Sequence, residues 1–162
     1  MNWITNSVLP KIKAWVQSDD MLENLWVKCS ACNQMIFHRE FEIANNCCTT
    51  CGHHAPLAPE QRFAMTFDNG KFETIALPAI NDDPLKFRDS NKYRDRLRDT
   101  RNKTGLNDAI AVAAGKMNGF PCVMAAFDFR FMGGSMGRMV GNGIIAAANE
   151  AVARNAALIT VP

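Results

Sequence analysis

Hydrophobic and polar positions change period several times along the chain, and each change marks an element. Ile4, Val8, Ile12, Trp15 and Val16 recur at helical spacing with Lys11 and Lys13 opposite, which predicts an amphipathic helix within residues 1–24. Residues 25–58 follow a different rhythm. There, Met35-Ile36-Phe37 and Phe41-Glu42-Ile43 read as short strands separated by polar turns. Ala55-Pro56-Leu57-Ala58-Pro59 reads as a linker, so a boundary falls near residue 58 and a second domain spans 59–162. Pro59-Glu60-Gln61-Arg62 opens a short helix that ends before the turn signal Asp68-Asn69-Gly70. Between Lys86 and Lys103, Tyr93 and Leu97 are spaced to share a helical face, and Gly105 is placed to terminate that helix. Ala109 to Met117 and Phe120 to Phe129 read as two strands joined by Asn118-Gly119, the residue pair favoured in a tight hairpin. The second strand runs into Phe131-Met132-Gly133-Gly134-Ser135-Met136-Gly137, a helix is expected from Ser135 to Asn155, and Ala157 to Val161 reads as another strand. Strand, glycine loop, helix, strand is the order of an α/β unit.

Composition narrows the class. With 162 residues, 48% of them hydrophobic and 21% charged, the chain has the balance of a globular protein of one domain plus a small module. No apolar run approaches the roughly 20 residues a bilayer requires, so no membrane role is expected. The N-terminus also lacks the order of a secretory signal, and a cytoplasmic location is expected. A net charge of +2 is too small to imply a nucleic-acid partner. Charge is nevertheless concentrated locally, since Lys86 to Lys103 carries eight basic and three acidic residues. Two readings stay open for that segment: a solvated helix, or a surface that meets phosphates or an acidic partner.

The six cysteines change the picture most, because they are paired and clustered rather than spread. Cys29-x2-Cys32-x15-Cys48-x2-Cys51 has the spacing of a four-thiolate zinc ribbon. Two such knuckles leave no open coordination position, so the expected ion is structural. Cys47 competes with Cys48 for the third place, but only Cys48 repeats the two-residue knuckle of the first pair. His38, His53 and His54 are substitute ligands of lower rank, and Cys122, inside the apolar run Phe120 to Phe127, reads as a buried free thiol.

Glycines at a strand-to-helix turn let backbone amides approach a ligand, and the loop at Gly133 and Gly134 therefore suits an anion or a developing oxyanion as well as a plain tight turn. Gly141-x-Gly143-x-x-Ala146 matches a dinucleotide fingerprint in letters but lies too far beyond the strand. Its glycines are read as permitting close helix packing. No P-loop and no nucleophilic triad stands out.

The four-cysteine ribbon, the segment Pro84-Leu85-Lys86-Phe87-Arg88-Asp89-Ser90 with Lys92-Tyr93 and Asp95-Arg96-Leu97, and Phe131 to Gly137 together closely resemble the beta subunits of bacterial acetyl-CoA carboxylase carboxyltransferases. The resemblance implies a zinc ribbon followed by an incomplete crotonase-like α/β domain. It also implies transfer of a carboxyl group from carboxybiotin to acetyl-CoA, giving malonyl-CoA for fatty-acid synthesis. The implied partners are an alpha subunit in an alpha2-beta2 assembly, a biotin carboxyl carrier protein, and a biotin carboxylase that uses ATP. Gly133 and Gly134 are the expected oxyanion contacts, and Ser135, Met136 and Gly137 the expected acyl-CoA loop. A second glycine pair that the family places after a strand like Leu158 to Val161 is not reached before Pro162, so a shortened chain, inactive alone, is expected. A zinc-ribbon module that binds nucleic acid or docks a protein is the alternative reading.

Overall fold

The computed structural model describes residues 25–162, and the amphipathic helix expected within residues 1–24 lies outside the described residues. The chain divides into two compact units, the first ending at Pro56 and the second running from Leu57 to Pro162.

In the first unit, β1 (Trp26–Lys28) pairs antiparallel with β2 (Met35–Phe37), which sets Val27 opposite Ile36. A short helix, α1 (His38–Ile43), follows directly. This corrects the strand expected at Phe41-Glu42-Ile43. A strand would turn Phe41 and Ile43 to the same face, but the small core of Cys29, Ile36, Phe41 and Cys48 admits only Phe41 and leaves Ile43 75% exposed. Asn45 and Asn46, at φ 53° and 58°, stop the helix, and the Asn46 N–H donates to the Phe41 carbonyl.

The second unit is a four-stranded sheet covered on both faces. It contains α2 (Pro59–Thr66), β3 (Phe72–Thr74), α3 (Tyr93–Thr104), β4 (Ile110–Met117), β5 (Phe120–Phe127), α4 (Arg138–Ala153) and β6 (Ala157–Val161). The strand order is β3-β4-β5-β6, antiparallel except for the parallel pair β5 and β6, which α4 connects. Alternation along the strands sorts the side chains. Val112, Ala114, Val123 and Ala125 face a core shared with Leu97, Phe131, Val140, Ala147 and Ala151. Ala113, Cys122, Met124 and Ala126 face the other way, onto Phe63 and Phe67. Strands buried on both sides read as continuous apolar runs, as these do.

Local chemistry fixes the ends of these elements. Asn118 and Gly119 both adopt positive φ (51° and 82°), and the Asp68 carboxylate accepts each of their N–H groups at 2.8 Å, tying the hairpin turn to the segment before β3. Gly105 closes α3 at φ 70°. That helix begins at Tyr93 rather than near Lys86, because Asp89 holds a turn by accepting the Asn91 N–H at 3.0 Å. Likewise β5 stops at Phe127 and α4 starts only at Arg138, which leaves 128–137 to form the glycine-rich turn.

Candidate functional site

Two knuckles with the same backbone build the cysteine group. In the first, the Asn33 N–H donates to the Cys29 carbonyl and the Cys29 N–H to the Gln34 carbonyl, both at 2.9 Å. In the second, the Gly52 N–H donates to the Cys48 carbonyl and the Cys48 N–H to the His53 carbonyl, both at 2.8 Å. Each knuckle closes on a left-handed residue, Asn33 at φ 59° and Gly52 at φ 71°, which explains why asparagine and glycine follow Cys32 and Cys51. That signal is present in the sequence.

The Sγ atoms of Cys29, Cys32, Cys48 and Cys51 lie within 4.8 Å of one another, with Cys29 to Cys51 at 3.8 Å and Cys32 to Cys48 at 3.7 Å. A tetrahedral ion with thiolate bonds of about 2.3 Å has sulfur–sulfur edges of about 3.8 Å, so this donor set fits one such ion. The Cys51 N–H, above all, draws the Cys48 thiol down to about 6; at Cys51 the His53 N–H acts downward, but the Cys48 sulfur, burial and the other two sulfurs together outweigh it and push the thiol up to about 12. Ionising one sulfur thus raises the cost of ionising the next, and a cation among them would favour four thiolates. Cys47 stands outside the group with its Sγ 3.1 Å from His54 Nδ1. His53 Nε2 meets Ser30 Oγ at 3.0 Å and His38 pairs with Glu42, so none of the three histidines joins the sulfurs.

The glycine turn follows Asp128, whose buried carboxylate accepts the Arg130 N–H at 3.0 Å and the Arg130 guanidinium. Burial opposes ionisation of Asp128, yet the guanidinium and the Arg130 N–H outweigh it and hold the carboxyl below the usual carboxylate range. Met132, Gly133 and Gly134 then take φ of 48°, 66° and 74° in succession. The Gly134 N–H donates to the Phe131 carbonyl at 2.9 Å, the Ser135 N–H to Met132 at 3.3 Å, and the Gly137 N–H to Ser135 at 2.9 Å. Among the described residues no acceptor meets the N–H groups of Gly133 and Met136. Gly133, Ser135 and Met136 are exposed, and a Cβ on Gly133 would meet nothing within 4 Å. Gly134 differs, since a Cβ there would stand 3.1 Å from the Phe129 ring. The five residues expected as one loop are therefore together, with Gly133 and Met136 carrying the free donors.

A cleft of about 570 Å³ in the second unit, walled by Ile75, Leu77, Leu106 and Ile110, reaches Asp128 and Met139 on either side of the turn. Asp82 lies on its rim, bound to the Arg101 guanidinium at 2.7 and 3.0 Å. Arg96 is paired with Asp89, and Arg98 with Asp95 and Asp99. Three of the arginines in the basic segment thus have carboxylate partners, which weakens it as a phosphate-binding surface.

A profile for the carboxyl transferase domain matches residues 80–162. The chain belongs to the carboxyl transferase family. Among curated relatives of this carboxyl transferase chain, the acetyl-coenzyme A carboxylase carboxyl transferase subunit beta of Jannaschia sp. (strain CCS1) is 52% identical over 98% of the chain and 50% of the relative. The protein of the same name from Granulibacter bethesdensis is 50% identical over 98% of the chain and 52% of the relative. In Rhizobium leguminosarum bv. trifolii the corresponding figures are 41%, 100% and 54%. The chain spans about half the length of the curated relatives it matches. No helix among the described residues is long and apolar enough to cross a membrane.

Proposed function

We propose that the chain supplies part of the acetyl-CoA side of a carboxyltransferase active site, converting acetyl-CoA to malonyl-CoA in the cytoplasm. Carboxybiotin, delivered on a carrier protein charged by an ATP-dependent biotin carboxylase, supplies the carboxyl group and the base that takes the acetyl methyl proton. An alpha subunit completes the assembly. The observation that carries the reading is the shared name of relatives that align over almost the whole chain, together with a turn that presents unpaired backbone donors.

The chain's own task is electrostatic. As the methyl proton leaves, negative charge develops on the thioester oxygen, and N–H groups aimed at that oxygen stabilise it; loss of one such donor typically costs about 2.7–4 kcal/mol. Gly133 and Met136 have N–H groups free for this work, whereas Gly134 contributes conformation, its own N–H being used inside the turn. Ser135 and Gly137 shape the approach. The cysteine group takes one zinc ion, held by Cys29, Cys32, Cys48 and Cys51 with no open position, and this orders the ribbon without taking part in carboxyl transfer.

Calorimetric titration tests the reading. Saturable binding of acetyl-CoA, and copurification with a carboxyltransferase alpha subunit, are expected. Oligonucleotide binding with a steep salt dependence and no acetyl-CoA binding would replace it with the nucleic-acid reading.

A further inference from the structure

Tyr93 carries a polar group built against the glycine turn. It opens α3, and its N–H donates to the Phe87 carbonyl at 3.0 Å, which fixes its backbone. The ring packs on the core that contains Leu97, Phe131 and Val140. Its hydroxyl reaches Gly137, where a Cβ would stand 3.1 Å from the oxygen. Gly137 has φ −80°, a value open to any residue, so its missing side chain answers to that hydroxyl and not to backbone strain. Among the described residues the hydroxyl meets no hydrogen-bond partner, and it is not a sealed, unsatisfied atom.

We propose that the Tyr93 hydroxyl donates a hydrogen bond to a neutral carbonyl oxygen of the acyl-CoA seated at the Gly133 to Gly137 turn, either the thioester or a pantetheine amide. Burial first, and then the carboxylates of Asp108, Asp82 and Asp83, push the phenol up, with Arg101 opposing, so the group is a protonated donor at neutral pH. Those carboxylates also disfavour a phosphate at this place. A neutral carbonyl suits both facts. The inference rests on the acyl-CoA reading and adds a side-chain contact to its backbone donors.

Tyr93 is the chain's single tyrosine, so isotope labelling of the phenolic carbon gives one signal that needs no assignment. Acetyl-CoA is expected to move that signal together with the amide signals of the glycine turn, and adenosine bisphosphate, which carries the nucleotide and phosphates without the pantetheine arm or thioester, to leave it in place. Coenzyme A lacking the acetyl group moves it equally if the acceptor is a pantetheine amide and leaves it in place if it is the thioester. Tyr93→Phe, which keeps the ring packing, should weaken acetyl-CoA binding about fivefold, the worth of one neutral hydrogen bond. Turn amides that move while the phenolic signal stays fixed and Tyr93→Phe binds normally would overturn the role of Tyr93 and leave the acyl-CoA reading intact. A phenolic signal that follows adenosine bisphosphate would also overturn it. If neither set of signals moves with acetyl-CoA, both inferences fall.

Discussion

Gly141 and Gly143 lie two residues apart in α4, and alanine should stabilise at the first position but not at the second. Both changes gain helix propensity, about 0.8–1 kcal/mol relative to glycine. At Gly141 a Cβ meets nothing within 4 Å, so the gain is kept. At Gly143 it would stand 2.9 Å from Ile110 Cγ2, 3.2 Å from Ile110 Cδ1 and 3.4 Å from Leu77 Cδ1. Ile110 is buried on β4 and β-branched, so it yields little, and overpacking of this kind costs about 1–3 kcal/mol. Gly143→Ala should therefore be neutral to about 2 kcal/mol destabilising, and the two variants should differ by about 1–3 kcal/mol. Thermal unfolding followed by circular dichroism reads this directly, since 1 kcal/mol moves Tm by about 4–8 °C in a unit of this size. Equal stabilisation by both alanines would show that α4 is not seated this closely on Ile110 and would refute the packing argument.

Other perturbations test other parts of the account. Cys48→Ser should abolish stoichiometric zinc by metal analysis while Cys47→Ser retains it, because Cys47 faces His54 and not the sulfur group; the reverse would reassign a ligand. Burial raises Asp108, so its folded value lies above the unfolded value of about 3.9, and the charged form costs stability as pH rises through the folded value. Asp108→Asn should raise Tm at pH 7 and leave it unchanged near pH 3; a lower Tm at pH 7 would contradict this sign. Asp128 has the opposite sign, since its folded value is depressed and its contribution is present above about pH 4 and lost as pH falls through the folded value. Asp128→Asn should then be destabilising at pH 7, with a deficit that shrinks toward pH 2; a deficit that grows toward acid would reject the Arg130 pairing as its cause.

Features carried by a few residues were legible in the sequence. Cysteine spacing foretold which four sulfurs converge, and Asn118-Gly119 foretold the hairpin, because each encodes its geometry locally. Gly143 packs closely, as its motif suggested, whereas at Gly141 in the same motif a Cβ would meet nothing within 4 Å. What escaped depended on distant partners. Strands β1 and β3 are three residues each, too short to show a period, and β3 is held by Phe72 against Phe63 and Phe67. Apolar alternation at Phe41 and Ile43 imitated a strand because nothing local says that the ribbon core has room for one ring. The helix after the glycine turn begins later than its small residues suggest, with Gly137 rather than Ser135 at its cap, after a turn in which the Gly134 and Ser135 N–H groups donate to the Phe131 and Met132 carbonyls. Which amides of the turn remain free could not be read from glycine content, since Gly134 binds the Phe131 carbonyl and the non-glycine Met136 does not donate.

The central claim is that an acyl-CoA thioester meets this chain at the glycine turn. Nitrogen-15 amide spectra recorded during an acetyl-CoA titration test it most directly. The account predicts saturable shifts that are largest at the N–H groups of Gly133 and Met136 and small at the zinc knuckles around Cys29 and Cys48. Shifts confined to the knuckles or to the basic face of α3, with Gly133 and Met136 unmoved, would contradict it.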